Sequence, residues 1–331
     1  GTNMEKQNDM LLRVKDLRVF YTAGGEIINA VNGVDLEVRR GETLGLVGET
    51  GAGKTTIAKS IMRILPDPPA KIGGGEIYLD GQELLRLPEK KMREIRGKKI
   101  SMIFQDPMTA LNPVFTVGEQ IEEVIMLHEK VNKGEAAVKA RQMLELVGIP
   151  GDRSGDYPHQ FSGGMKQRVV IAMALACSPE LILADEPTTA LDVTIQAQIL
   201  DMIKALKEKQ NTSMILITHD LGVVAEVCDR VAVVYAGEII EYGTKEEIFD
   251  YPTHPYTVGL FGSIPKIHED VEWLDSIPGM PPNPADLPSG CHFHPRCSKC
   301  TQPCGEKAPE MVEIRPGHFV RCLNCTEKKE S

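Results

Sequence analysis

At 331 residues, 25% charged and 42% apolar, the chain has the makeup of a soluble globular protein, with room for one large core plus an appendage or for two domains. A net charge of −10 excludes a nucleic-acid function that rests on bulk positive charge. The longest apolar run, Val169 to Cys177, is nine residues, about half of what a bilayer-spanning helix needs. No signal peptide is evident, and Gly1-Thr2-Asn3 ahead of Met4 reads as a tag remnant, so 1–10 is set aside as a tag and disordered start.

In chain order, residues 11–48 read as strands broken by turns: Leu12 to Tyr21, a Gly24-Gly25 turn, Ile27 to Leu36, then the apolar run Thr43 to Val47. Leu17, Val19 and Tyr21 share one strand face. The run ending at Val47 feeds Gly48-Glu49-Thr50-Gly51-Ala52-Gly53-Lys54-Thr55, a complete G-x-x-x-x-G-K-[ST] phosphate loop, with Thr56 next. Ile57, Ala58, Ile61, Met62 and Leu65 then recur at helical spacing until Pro66. Strand, glycine loop and helix thus stand in the order that phosphate binding requires. The glycines let backbone amides turn toward an anion, and the helix start adds a favourable dipole. Lys54 supplies a point charge for the outer phosphates, and the Thr55 hydroxyl can ligate magnesium. The competing reading, a glycine turn that binds nothing, does not account for an eight-residue pattern in this setting.

Beyond the loop, glycine-rich 73–75 leads into Glu76 to Leu79 and an Asp80-Gly81 turn, a hairpin signal. Residues 83–97 predict a charged helix, Ile100 to Phe104 a short strand, Thr116 to Val147 a helical stretch and 163–177 another helix. Leu181 to Asp185 is a buried strand, 194–209 a helix, Met214 to Thr218 a strand and Leu221 to Cys228 a short helix. Two strands follow, Val231 to Tyr235 and Glu238 to Tyr242. The alternation argues for an α/β core over 11–250, with a helical insertion at about 106–178. Past about residue 250 the periodicity fades, and twelve of the 22 prolines lie in 251–331. That predicts an extended proline-rich connection over 251–290 and a small cysteine-stapled module over 291–331.

The strand Leu181 to Asp185 ends in paired carboxylates. Asp185 can hold magnesium, and Glu186 can orient and deprotonate an attacking water. The bland alternative is a strand-terminal acidic turn.

Five segments now stand in series: Gln105 within IFQDP, Phe161-Ser162-Gly163-Gly164-Met165, LADEP around Asp185, Thr189-Ala190-Leu191-Asp192, and Thr218-His219-Asp220. In order and approximate spacing the set resembles the ATP-binding cassette (ABC) ATPases across residues 12–250. Phe161 and Met165 depart from the family's usual LSGGQ, while the Ser-Gly-Gly that would touch phosphate is intact. The resemblance implies a P-loop ABC ATPase core with an antiparallel β subdomain and a helical subdomain. It also implies a head-to-tail dimer in which ATP and Mg2+ lie between one cassette's phosphate loop and the other's Ser162, Gly163 and Gly164. Gln105 would sense the γ-phosphate through magnesium and the water, His219 would contact the γ-phosphate, and Asp192 would organise the partner's site. Tyr21 would stack on adenine; an ordinary core tyrosine is the open alternative.

Met92 to Gln120, YPTHPYT at Tyr251 to Thr257, and Ile277 to Cys297 are similar to the peptide-transport branch, in particular to D-type ATP-binding subunits of dipeptide and oligopeptide importers. That implies a peripheral seat at the cytoplasmic membrane face. The implied partners are an F-type second ATPase, two transmembrane permeases received around Gln105 and 106–160, and an extracytoplasmic peptide-binding protein, with no nucleic acid. A soluble ABC ATPase of translation or DNA repair is the alternative class, and nickel an alternative cargo.

Of eight cysteines, Cys177 and Cys228 lie in apolar surroundings and read as small core residues. The other six crowd into the last 41 residues, which without a secretory signal points to metal rather than disulfides. The resemblance implies a [4Fe–4S] cluster on Cys291, Cys297, Cys304 and Cys322. A rival reading pairs Cys297-x-x-Cys300 with Cys322-x-x-Cys325 as a zinc ribbon. His292, His294 and His318 read as ordinary loop residues.

Overall fold

The computed structural model describes residues 9–104, 106, 110–187, 193–262 and 277–325. In chain order the strands and helices are β1 (Met10–Ala23), β2 (Glu26–Arg39), β3 (Thr43–Val47), α1 (Lys54–Met62), β4 (Ala70–Leu79), β5 (Gln82–Glu83), α2 (Glu89–Ile95), β6 (Ile100–Ile103), α3 (Val117–His128) and α4 (Lys133–Leu146). Then come α5 (Gly163–Leu175), β7 (Leu181–Asp185), α6 (Val193–Gln210), β8 (Ser213–Ile217), α7 (Leu221–Val227), β9 (Arg230–Tyr235), β10 (Glu238–Thr244), α8 (Lys245–Asp250), α9 (Pro255–Gly262), β11 (Met311–Arg315) and β12 (His318–Arg321). Backbone contacts divide them into two units. One comprises Met10–Val38, Thr43–Leu85 and Ile217–Ser331; the other holds Arg39–Glu42 and Arg86–Leu216.

The first unit carries an antiparallel sheet in the order β2-β1-β4-β5. β1 and β4 pair from Leu12 opposite Leu79 to Tyr21 opposite Ala70. Leu17 and Val19 are buried, as the alternation predicts, whereas Tyr21 is only half-buried. A second set of strands in this unit runs β11-β12-β10-β9-β3. β3 lies parallel to β9, with Val47 opposite Val233, and all five of its residues are buried. β9 and β10 form a hairpin across Ala236-Gly237, both with positive φ, the backbone a tight right-twisting turn requires.

The C-terminal hairpin adds to that sheet. β12 pairs with β10, Glu241 opposite Val320, and β11 covers β12. The cysteine-rich region is therefore tied by backbone hydrogen bonds to the strands beside the phosphate loop, where the sequence predicts a separate small module. The predicted extended connection differs at one place, and its residues 263–276 lie outside the described ones. Within 251–290, Pro255–Gly262 is a helix that buries Tyr256, Thr257 and Phe261. Proline at its first position costs no hydrogen bond there, so a proline-rich stretch did not preclude it.

The second unit sets β6 parallel to β7, Ile100 opposite Leu181, in the order β8-β7-β6. The stretch Thr116 to Val147 is two helices. Thr116 and Glu119 form a capping box at the start of α3, and Asn132 caps α4 after the break at Glu129. The charged helix of 83–97 shrinks to α2, because Pro88 marks its start. α5 buries residues all round, Val169, Ile171, Ala172 and Leu175 among them, which explains its continuous apolar run. Cys228 is a core residue as predicted; Cys177 is only half-buried. Among the described residues no helix is long and apolar enough to cross a membrane.

His318 corrects the loop-residue reading most clearly. It is fully buried, its Nε2 2.6 Å from Oε2 of the equally buried Glu241 and its Nδ1 3.1 Å from Oε2 of Glu247. Burial pulls its pKa down, but the two carboxylates outweigh that and hold it above the ordinary 6.5. A raised folded pKa gives stability that is complete below the unfolded value and lost as pH rises through the folded one. Thermal unfolding of the full chain at about pH 6 and about pH 9 should show this loss, and His318→Gln should shrink it. An unaltered pH slope in the variant would remove His318 as its source.

Candidate nucleotide site

The phosphate loop leaves β3 through a place where only hydrogen fits. A Cβ on Gly48, at φ 154°, would lie 2.3 Å from the Val234 carbonyl oxygen. One on Gly53, at φ 103°, would lie 2.6 Å from the Ala30 oxygen. These contacts press the loop between β9 and β2. Gly237 N–H donates to the Ala52 carbonyl at 2.9 Å, and Asn32 Nδ2 holds the Ala236 carbonyl at 2.8 Å. Gly53 caps α1 without a side-chain acceptor, and the helix has no acidic residue in its first turn, which suits an anion-binding start. Lys54 is buried and donates to the Gly48 carbonyl at 2.6 Å, so its ammonium lies across the loop. Thr50 and Gly51 are exposed at the tip.

Two further predicted residues belong to the same unit. The Tyr21 hydroxyl lies 3.3 Å from Thr56 Oγ1, placing that ring beside the start of α1. Thr218 N–H donates to the Leu46 carbonyl at 3.4 Å, which ties the turn carrying His219 to the strand feeding the loop. His219 itself is exposed, and Asp220 caps α7 behind it.

The second unit brings the carboxylates and the Ser-Gly-Gly segment together. Asp185 ends β7 and is 5% exposed. Glu186 follows at φ 45°, a left-handed conformation that costs a non-glycine residue energy and clusters at functional positions. Gln167 on α5, fully buried, donates to the Pro187 carbonyl. The helix that begins with the Ser-Gly-Gly segment thus braces the turn holding Glu186. Ser162 caps α5 by accepting from Met165 N–H at 3.3 Å, leaving its own O–H to donate elsewhere. Ser162 and Gly163 are exposed and Gly164 is buried. Gln105 and Asp192 lie outside the described residues.

A hydroxyl at Thr55 and a buried carboxylate at Asp185 are donors of the kind magnesium takes. The cysteines are less clear-cut. Charge interactions link Cys291 to Cys322, Cys304 and Cys297, so these four thiols lie near one another. Among the described residues, however, no three His, Cys, Asp or Glu side chains are disposed to hold a metal ion. Neither the four-cysteine cluster nor the zinc ribbon gains support from this; Cys300 is exposed, and Cys325 Sγ lies 3.4 Å from the Thr253 carbonyl.

Sequence reasoning missed three residues at the loop. Arg296 makes a two-pronged ion pair with Glu49, Nη1–Oε2 and Nη2–Oε1 both at 2.9 Å. The Tyr256 hydroxyl accepts from Glu49 N–H at 2.9 Å, and Tyr235 packs against Tyr256 with ring centroids 4.8 Å apart. Glu49 and Arg296 are 247 positions apart and share no periodicity; the only trace is that YPTHPYT and the stretch ending at Cys297 stand out as segments.

Residues 31–189 match the "ABC transporter" family, and 240–304 match "Oligopeptide/dipeptide transporter, C-terminal region". The oligopeptide transport ATP-binding protein OppD of Bacillus subtilis is 53% identical over 94% of this chain and 88% of its own length. The dipeptide transport ATP-binding protein DppD of the same organism is 50% identical over 95% and 94%. A probable peptide ABC transporter ATP-binding protein of Sinorhizobium fredii is 51% identical over 96% of both chains. Among solved structures, the dimeric ATP-binding cassette MJ0796 bound to ADP and Pi matches with a TM-score of 0.64 at 30% identity, over 71% of this chain and 99% of that one. With its phosphate loop, its carboxylate strand end and its capped Ser-Gly-Gly helix, the chain belongs to the ABC transporter ATP-binding proteins, in the oligopeptide/dipeptide branch.

Proposed function

We propose that this ATPase powers uptake of di- and oligopeptides through a membrane permease. The observation that carries the reading is the match of 240–304 to the oligopeptide/dipeptide C-terminal region, standing beside an intact nucleotide core. The core alone would leave the cargo open, whereas this region matches a family described by oligopeptide and dipeptide transport.

In this reading the phosphate loop, Gly48 to Thr56, takes the phosphates of ATP with the Lys54 ammonium and with amides other than that of Glu49, which is bonded to Tyr256, and Tyr21 meets the adenine. Thr55, Asp185 and Gln105 would hold magnesium, which would neutralise charge on the phosphate oxygens. Glu186 withdraws a proton from the attacking water, and its left-handed backbone sets the direction in which its side chain leaves the chain. His219 contacts the γ-phosphate. Ser162 donates its free O–H, and Gly163 and Gly164 their amides, to the nucleotide of the partner cassette, whose site Asp192 organises. The exposure of Ser162 and Gly163 supports that outward role. The partner is an F-type chain, and the pair sits on two permeases at the cytoplasmic membrane face, fed by a peptide-binding protein outside. A [4Fe–4S] cluster on Cys291, Cys297, Cys304 and Cys322, as a structural group, is carried by the resemblance alone, four thiolates being the ligand set such a cluster would take.

Three outcomes follow. Reconstituted with its membrane partners in vesicles, the chain should drive ATP-dependent accumulation of a labelled di- or oligopeptide; accumulation of nickel but not peptide would overturn the cargo. Lys54→Ala should weaken nucleotide binding, whereas Glu186→Gln should still bind ATP yet lose on the order of 10²-fold or more in hydrolysis; full turnover in Glu186→Gln would refute its role as base. Anaerobically purified protein should contain iron and sulfide at about four each per chain, and zinc without iron would remove the cluster.

A further inference from the structure

Glu49 occupies a position that the phosphate-loop pattern leaves free, and the structure holds it from both sides. Its carboxylate takes both prongs of the Arg296 guanidinium at 2.9 Å, and its backbone N–H is committed to the Tyr256 hydroxyl. The Arg296 side chain is 6% exposed. Arg296 Nε donates to the Pro278 carbonyl at 2.8 Å, and the guanidinium lies 5.8 Å and 5.9 Å from the ring centres of Tyr235 and Phe293. Phe293 packs edge-on against both Tyr235 and Tyr256. The clamp is therefore a rigid aromatic box around one arginine, and its grip point is the residue after Gly48. Tyr235 ends the same strand, β9, whose Val234 carbonyl abuts Gly48.

We propose that Arg296 is a positioning residue for ATP binding: it neutralises Glu49 and pins the loop in its phosphate-accepting shape, so the C-terminal region sets nucleotide affinity. The effect is electrostatic first. A carboxylate next to a triphosphate site repels the ligand unless its charge is compensated, and a two-pronged pair with a guanidinium cation is among the strongest compensations a side chain offers. It is geometric second, because the pair and the Tyr256 bond fix both the side chain and the amide of one residue, removing freedom the loop would otherwise lose when ATP binds. The inference rests on the loop being the nucleotide site.

The test is calorimetric titration of the full chain with ATP and magnesium. Arg296→Met keeps the side chain's length but leaves the carboxylate unpaired, and it should raise the ATP Kd about tenfold or more. In steady-state assays of the assembled transporter the loss should appear in KM, with kcat within about twofold. Adding Glu49→Gln to Arg296→Met should recover most of the affinity, because the repelling charge is gone. A structural defect of the C-terminal region would persist in the double variant, so failure to recover overturns the proposal. Wild-type affinity in Arg296→Met overturns it as well. Lys54→Ala separates the two readings: if it abolishes binding while Arg296→Met does not weaken it, the loop is the site and Arg296 does not position it.

Discussion

The structure around the nucleotide depends on one steric constraint: the backbone of the phosphate loop runs against two other backbones with no room for a side chain. At Gly48 the neighbour is the carbonyl of Val234, and at Gly53 that of Ala30. Because these contacts are main chain to main chain, no neighbouring rotamer can relieve a methyl group placed there. The loop's shape is thereby fixed by β9 and β2, and the positions of those strands become part of the binding site. This is why a strand pair as remote in sequence as β9 and β10 contributes to the loop, through the Ala236-Gly237 turn whose groups bond Ala52 and Asn32.

The same dependence runs outward into the C-terminal region. Glu241 on β10 is fully buried and accepts from Thr253 N–H, His254 N–H and His318 Nε2, the last two at 2.7 and 2.6 Å. A buried carboxylate with that many donors is satisfied, whereas removing one partner would leave it costly. His254 in turn uses Nδ1 to accept from Tyr256 N–H, and burial lowers its pKa to about 3, so it stays neutral and keeps that lone pair. Tyr256 closes the series by accepting from Glu49. From the C-terminal hairpin to the phosphate loop there is one connected polar chain, packed in apolar surroundings.

What the residues reveal by themselves follows from how local each signal is. The phosphate loop, the strand Leu181–Asp185 and the capped start of α5 each lie within a dozen residues, and all are legible in order and type. The break between α3 and α4 is less so, because the apolar spacing continues across Glu129–Asn132 while a cap decides the matter. The helix Pro255–Gly262 was hidden by proline content, which argues for extended chain unless the proline sits at the first turn. The Glu49–Arg296 pair and the burial of His318 are long-range pairings of polar residues with no period to detect. Polar residues in a cysteine- and proline-rich stretch read as surface, and only the fold shows that they are the interior.

That interior position changes what the C-terminal region is. Had it been an appendage, its hairpin would carry its own core and its loss would leave the nucleotide loop intact. Instead β12 completes the hydrogen bonding of β10, and β10 is the other half of the hairpin whose turn supports Ala52. The aromatic box of Tyr235, Tyr256 and Phe293 draws one ring from β9, one from α9 and one from the cysteine-rich segment, so none of the three can leave without exposing the other two. The phosphate loop of this chain is thus held by residues far along the sequence as well as by its own strand. The cysteine-rich end touches the loop directly through the Arg296–Glu49 pair, and α9 does so through the Tyr256 bond, so coupling to the loop needs no conformational relay.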